Sequence, residues 1–252
     1  MIKLFITDID GCLSTPFKTP DWEKLSQLRR LNEQSAHDMA VPPLSICSGR
    51  PFPYVEAVAQ WLGVKKPVVF ESAGLYELET NKIEFLSAFD EEAHQQVQEL
   101  KQWLREELVP RYSNLIIEFT KRMDAGVIHL DSEVINEIYP EVKAYVKEHY
   151  PRFEVHYTDV SINIILQQNN KRNGILELCD LLDIDPQEVA YIGDSSGDVP
   201  GLQVVGRPFA PANASEDVKA VAEVLDAEVT DSVLMAYRNL IEHDRRLLAG
   251  TA

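Results

Sequence analysis

Ile2-Lys3-Leu4-Phe5-Ile6-Thr7-Asp8-Ile9-Asp10-Gly11 is a short apolar run that stops abruptly at two aspartates and a glycine. Such a run, apolar on both faces and bounded by a loop signal, reads as a buried parallel strand feeding a polar loop. The same pattern recurs along the chain. Asp21 to Ala36 places Trp22, Leu25, Leu28 and Leu31 at three-residue spacing and predicts a helix. Pro42 to Cys47 is a second strand, ended by Ser48-Gly49-Arg50-Pro51; Tyr54 to Leu62 is a second helix and Pro67 to Phe70 a third strand. After a different middle stretch the alternation resumes with a helix over Arg172 to Leu182 and a strand over Val189 to Ile192. Gly193-Asp194-Ser195-Ser196-Gly197-Asp198 follows, and a last helix runs from Ser232 to Leu248. Strand–helix alternation of this kind implies an α/β fold, a Rossmann-like, doubly wound parallel sheet with ligands at the carboxyl ends of its strands.

The middle follows another rule. Phe85 to Phe89 suits a strand, and Asp90 to Leu108 a long helix with Asp90, Glu91 and Glu92 in its first turn, where the helix dipole favours anions. Leu115 to Thr120 and Gly126 to Asp131 are β runs joined by Lys121-Arg122-Met123-Asp124; Glu133 to His149 is a helix; Phe153 to Tyr157 and Ser161 to Leu166 form a second hairpin. Two helix–hairpin units make an inserted α+β domain over residues 80–166, and residues 1–79 and 167–252 make the core.

Composition narrows the function. The 252 residues carry a formal net charge of −17, unsuited to gripping nucleic acid over a broad face. No apolar run approaches the ~20 residues of a membrane span, and the first segment turns acidic too soon for a secretory signal. Cys12, Cys47 and Cys179 lie far apart, which suits neither a zinc knot nor a disulfide framework. A reduced, cytoplasmic protein with no nucleic-acid or membrane partner is expected, as a monomer or homodimer.

Residues two apart in extended backbone point the same way, so Asp8 and Asp10 can face one site. Two carboxylates held together repel unless a cation lies between them, and a hard divalent ion such as Mg²⁺ suits oxygen ligands. Asp194 and Asp198, after a second apolar strand, can add carboxylates to the same ion. Ser48 offers a hydroxyl and flanking backbone N–H groups, and Lys171 a fixed positive charge; together they suit an anionic, oxygen-rich group such as phosphate.

Asp8-x-Asp10-Gly11, Ser48-Gly49-Arg50, Lys171 and Gly193-Asp194-x-x-x-Asp198 resemble, in order, the four motifs of the haloacid dehalogenase superfamily of phosphotransferases. The likeness covers nearly the whole chain, and the insert lies where that family carries its type II cap. Glu71-Ser72-Ala73-Gly74 and Pro211-Ala212-Asn213-Ala214 look like stretches of the Cof-like and sucrose-phosphatase-like branches. The resemblance implies roles. Asp8 would attack phosphorus and become an aspartyl phosphate, and Asp10 would protonate the leaving alcohol and then deprotonate water. Asp8, the backbone carbonyl of Asp10, and Asp194 would hold Mg²⁺, with Asp198 reaching it through water. Ser48 and Lys171 would bind phosphoryl oxygens, with Gly49 and Arg50 as further substrate contacts. A carboxylate at Asp10, where ion-pumping relatives have Thr, points to a phosphatase or a phosphomutase. Cys12, Gly197 and Arg172 depart from the usual residues at their positions without removing a charged group.

The motifs contact only the phosphoryl group, so selectivity is assigned to the insert. In Leu115-Ile116-Ile117-Glu118-Phe119-Thr120-Lys121-Arg122 a continuous strand would turn Glu118, Thr120 and Arg122 to one face. Glu118 with Lys121 resembles the glutamate and lysine with which sugar-phosphate phosphatases of the superfamily hold hydroxyls; Glu118, Lys121 and Arg122 are the expected cap contacts. The expected substrate is a small phosphorylated metabolite, a sugar phosphate. A phosphomutase and a catalytically silent binding module on the same fold are the alternatives.

Overall fold

In a computed structural model of the chain, residues 1–250 are described; the final two residues of the expected core range, 251 and 252, lie outside them. The elements run β1 (Leu4–Thr7), α1 (Trp22–Gln34), β2 (Leu44–Ile46), α2 (Phe52–Trp61), β3 (Val68–Phe70), β4 (Gly74–Glu77) and β5 (Lys82–Phe85). Then come α3 (Glu91–Trp103), β6 (Ile116–Ile117), β7 (Asp124–Ile128), α4 (Ser132–His149), β8 (Phe153–Tyr157) and β9 (Ser161–Leu166). The chain continues through α5 (Lys171–Leu182), β10 (Val189–Ile192), α6 (Val199–Leu202), β11 (Arg207–Ala210), α7 (Glu216–Lys219), β12 (Glu223–Val224) and α8 (Val229–Leu248).

Two compact units result: Met1–Glu84 with the chain from Asn170 onward, and the inserted Phe85–Asn169. The insert begins later than residue 80 because β4 and β5 continue from β3 as a three-stranded sheet of the first unit. It ends later than 166 because Gln167 and Asn169 still donate backbone hydrogen bonds to Arg152 and Leu166.

In the first unit a five-stranded sheet has the order β12-β11-β10-β1-β2, all parallel. β1 lies between β10 and β2, with Phe5 opposite Ala190 and Leu44. Every residue of β1, β2 and β10 is buried, which accounts for their continuous apolar character. Cys47 bridges to Val69 in parallel, so β3 follows β2. α1 is capped by Asp21, whose side chain accepts from the Lys24 N–H at 3.1 Å, and buries Leu25 and Leu28. Its buried Asn32 is fully employed, donating to the carbonyls of Leu62 and Gly63 and accepting from the Leu44 N–H. The three cysteines are free and buried. Among the described residues no helix is long and apolar enough to cross a membrane.

The inserted unit holds an antiparallel sheet of order β6-β7-β9-β8. One sheet face is apolar: Ala125, Val127, Ile162, Ile164, Leu166 and Phe153 are buried. The stripes Ala93, Val97 and Leu100 of α3 and Ile135, Ile138, Val142 and Val146 of α4 are buried too. The expected strand over Leu115 to Thr120 is corrected to Ile116–Ile117, because only these pair with Ile128 and Val127. Residues 118–123 form a loop, so no strand pleat aligns Glu118, Thr120 and Arg122. The expected strand over Phe85 to Phe89 is likewise shifted, to Lys82–Phe85.

Candidate active site

All the charged groups of the four motifs lie in the first unit, each on a strand end or helix start. Asp8 follows β1 directly, and its N–H continues the sheet ladder to the Ile192 carbonyl at 3.0 Å. Ser48 lies two residues past β2, its N–H bonded to the Val69 carbonyl and its carbonyl accepting from Ser72. Lys171 opens α5, which Asn170 caps by accepting from the Asn173 N–H at 3.0 Å. Asp194 comes two residues after β10, and Asp198 ends a single 3₁₀ turn.

Lys171 ties these loops together. Its ammonium, buried, lies 2.7 Å from Asp8 Oδ2 and is also bonded to Asp198 Oδ1. Asp198, fully buried, is saturated: Oδ1 accepts from Lys171 and the Tyr191 hydroxyl. Oδ2 accepts from the N–H groups of Asp194 and Ser195 at 3.1 and 2.9 Å and from Ser195 Oγ at 2.9 Å. Burial works against the ionised form of Asp198, yet Lys171, Tyr191 and Ser195 outweigh it and hold the carboxyl below its usual range. The two flanking carboxylates lack such a complement of donors. Burial raises Asp8 to about 6, against the pull of Lys171 and with help from Asp198. Burial, then Asp198 and Asp8, raise Asp194 to about 7.

Two glycines are needed for this convergence. Gly11 has φ of +71°, and a Cβ there would lie 1.9 Å from Asp194 Oδ2. A Cβ on Gly193 would lie 2.5 Å from Asp198. Asn213 completes the join by donating to the Gly11 carbonyl at 3.0 Å while accepting from the Val229 N–H. Ser215 donates its N–H to the Asp194 carbonyl at 2.9 Å.

The fit to a divalent cation follows from the donor set. Asp8, Asp194 and Asp198 each offer one carboxylate oxygen, and these oxygens lie within 4.8 Å of one another. Three carboxylates against the Lys171 ammonium leave two unbalanced negative charges, which a hard divalent ion would neutralise. The side chain of Asp10 is not part of this cluster. Its carboxylate is gripped by Arg50 as a fork, Nε to Oδ2 at 2.5 Å and Nη2 to Oδ1 at 2.8 Å. The Arg50 guanidinium also lies over the rings of Phe17 and Tyr54, at 5.7 and 5.1 Å. Gly49 adjoins the loop, with ordinary contact distance to Ser72 Oγ for an added Cβ, and the Arg50 N–H reaches Ser48 Oγ at 3.3 Å. Glu71 and Ser72, both at positive φ, turn the chain so that their N–H groups bind the Arg50 and Ser48 carbonyls.

The remaining expected contacts belong to the inserted unit. Glu118 accepts from the Thr120 hydroxyl; Arg122 places its guanidinium 4.9 Å over the Phe85 ring. Lys121 donates to Asp124 Oδ2 at 3.0 Å and to Asn163 Oδ1 at 3.4 Å. Sequence reasoning missed Asp124, Tyr191, Ser195 and Asn213. Asn213 lay in a stretch already noted for its likeness to relatives, which was the available signal. The others lie close in sequence to partners already singled out: Asp124 three residues after Lys121, Ser195 three before Asp198 and Tyr191 seven before it.

The model of the haloacid dehalogenase-like hydrolase family matches residues 87–236. A phosphoglycolate phosphatase of Methanopyrus kandleri is 29% identical over 246 residues, covering 96% of this chain and 98% of that protein. A crystal structure from Thermoplasma acidophilum is similar with a TM-score of 0.76 at 20% identity, covering 95% of this chain and 98% of its own. The sucrose-phosphatase of Synechocystis, solved with sucrose and phosphate, has a TM-score of 0.64 at 15% identity, over 95% of this chain and 98% of its own. With the four strand-end motifs assembled as above, the chain belongs to the haloacid dehalogenase-like hydrolases and is a phosphatase of that family.

Proposed function

We propose that the protein hydrolyses a small phosphorylated metabolite, a sugar phosphate, with Mg²⁺ and through an aspartyl phosphate on Asp8. The observation that carries this is the position of Asp8: at the end of β1, 2.7 Å from Lys171 and within a cluster of three carboxylates. An Asp8 carboxylate oxygen attacks phosphorus, and the bond to the leaving oxygen breaks as Asp10 gives that oxygen a proton. Asp10 then takes a proton from the water that attacks the acyl phosphate, releasing inorganic phosphate and restoring Asp8. Asp10 meets the leaving oxygen after exchanging one of its Arg50 contacts for it. Ser48, the N–H groups around Gly49, and Lys171 bind the phosphoryl oxygens, and Lys171 offsets their charge as the bond breaks. Asp8, Asp194 and the Asp10 carbonyl would hold the ion, with Asp198, whose oxygens are already filled, behind a water. When bound, Mg²⁺ supplies neutralisation of the carboxylate–phosphate repulsion.

To the insert, as the cap, we assign the choice of leaving group, through Glu118, Lys121 and Arg122. A second substrate, phosphoglycolate, is favoured by the name of the Methanopyrus kandleri relative. The test is release of inorganic phosphate from p-nitrophenyl phosphate, sugar phosphates and 2-phosphoglycolate, with Mg²⁺ and with EDTA. Chelation should abolish activity and Mg²⁺ restore it. Full turnover in EDTA, or an isomerised phosphate ester in place of free phosphate, contradicts the proposal.

A further inference from the structure

The loop between β6 and β7 contains a buried ion pair that bears on the choice of leaving group. Asp124 and Gly126 point to one face of β7, and Asn163 of β9 stands opposite Gly126. Asp124 and Asn163 are therefore diagonal neighbours on that face, separated by a residue without a side chain. Lys121 Nζ fills this space, 3.0 Å from Asp124 Oδ2 and 3.4 Å from Asn163 Oδ1. Its backbone is held as well, because Lys101 of α3 donates to the Lys121 carbonyl at 2.5 Å. The side chains of Lys121 and Asp124 are only 13% and 4% exposed, so this is no solvated surface lysine.

Asp124 is incompletely satisfied. Its Oδ1 is buried and, among the described residues, receives no hydrogen bond. A buried carboxylate oxygen in that condition calls for a donor. The pair as a whole is neutral: the Lys121 ammonium has its charge offset by Asp124. An uncharged hydroxyl can accept from an ammonium in this state, because it needs no net positive charge. A carboxylate meets a lysine whose charge is already matched by Asp124.

We propose that Asp124 is a specificity-determining positioning residue, which fixes and neutralises Lys121 and so favours hydroxyl-bearing leaving groups over carboxylate-bearing ones. The proposal rests on the reading that the loop of Glu118, Lys121 and Arg122 meets the leaving group. It therefore selects between the two substrates above, in favour of the sugar phosphate.

The experiment compares kcat/KM for 2-hydroxyethyl phosphate and 2-phosphoglycolate, which share a two-carbon skeleton and differ in a hydroxymethyl or a carboxylate. Each value is referred to p-nitrophenyl phosphate for the same protein. The unmodified protein should favour 2-hydroxyethyl phosphate. Asp124→Asn removes the negative charge that Asp124 sets beside Lys121 and should raise the 2-phosphoglycolate to 2-hydroxyethyl phosphate ratio roughly ten- to hundredfold, the effect of one unit charge at about 6 Å and an effective dielectric of about 20. Asn163→Asp adds a second carboxylate beside Lys121 and should move the ratio the opposite way, a sign that a merely structural residue would not produce. It also carries the test if Asp124→Asn fails to fold. Equal losses on all three substrates, or ratios unmoved by both variants while Lys121→Gln changes them, overturn the role of Asp124. If Lys121→Gln leaves both metabolite ratios at their original values, the loop reading itself falls, and this inference with it.

Discussion

Asp198 in the first unit and Asp124 in the insert are both buried aspartates bonded to a lysine, and they are finished in opposite ways. Asp198 accepts from Lys171, Tyr191, the Asp194 and Ser195 N–H groups and Ser195 Oγ, filling both oxygens. Asp124 accepts from Lys121 on one oxygen, and the other is left without a donor among the described residues. A carboxylate with both oxygens so engaged is held in place, and it sets the shape of its surroundings. Asp198 thereby holds Lys171 against Asp8 and folds the Gly193–Asp198 loop so that Asp194 faces Gly11. A carboxylate left half-engaged keeps an unspent preference, and it lies where groups that select substrates are expected. Burial raises Asp124, against the pull of Lys121, whereas the donors around Asp198 lower it despite burial.

The largest effect should come from outside this pair, from the group that Asp198 helps to position. Asp8→Asn removes the nucleophile while keeping its shape, and turnover of p-nitrophenyl phosphate with Mg²⁺ should fall at least ~10³-fold. Circular dichroism should show the fold retained. Next comes the direct comparison. Asp198→Ala strands a buried lysine, a tyrosine hydroxyl and two backbone N–H groups, and should cost about 3–5 kcal/mol in urea unfolding. Asp124→Ala strands fewer groups and should cost less, about 1–3 kcal/mol. Equal costs would erase the distinction between the two aspartates. Smallest is Tyr191→Phe, which takes one of several donors from Asp198; a loss of about 0.5–1.5 kcal/mol is expected, with activity largely retained. A loss as large as that of Asp198→Ala would mean that the other donors do not compensate.

The parts of the molecule that were legible in the sequence share one property: their meaning is local. Asp8, Ser48, Asp194 and Asp198 follow apolar runs closely enough to be placed at strand ends. β8, β9 and β10 lie where the alternation and apolar runs put them. What escaped depends on partners far along the chain. Ile116 and Ile117 continue into Glu118 as a plausible strand, and the Glu118 N–H still reaches the Gly126 carbonyl, but the paired register of β6 with β7 ends at Ile117. The link between Lys121 and Asn163 spans 42 positions, and that between Asn213 and Gly11 spans 202. β11 and β12, with Arg207, Pro208 and Glu223 among their few residues, carry too little apolar pattern to be seen. Arg50 was expected at the substrate; its fork on Asp10 follows only from the packing of the first and second strand-end loops.

Covalent chemistry at Asp8 underlies every role assigned to the site, and it can be measured without knowing the natural substrate. The protein, turning over p-nitrophenyl phosphate in the presence of Mg²⁺, is quenched in acid, digested and examined by mass spectrometry. A phosphorylated peptide with the modification on Asp8, formed within the first turnover and missing in Asp8→Asn, is the predicted result. Sustained phosphate release with that peptide unmodified at every quench time, or phosphate carried on another residue, would contradict it.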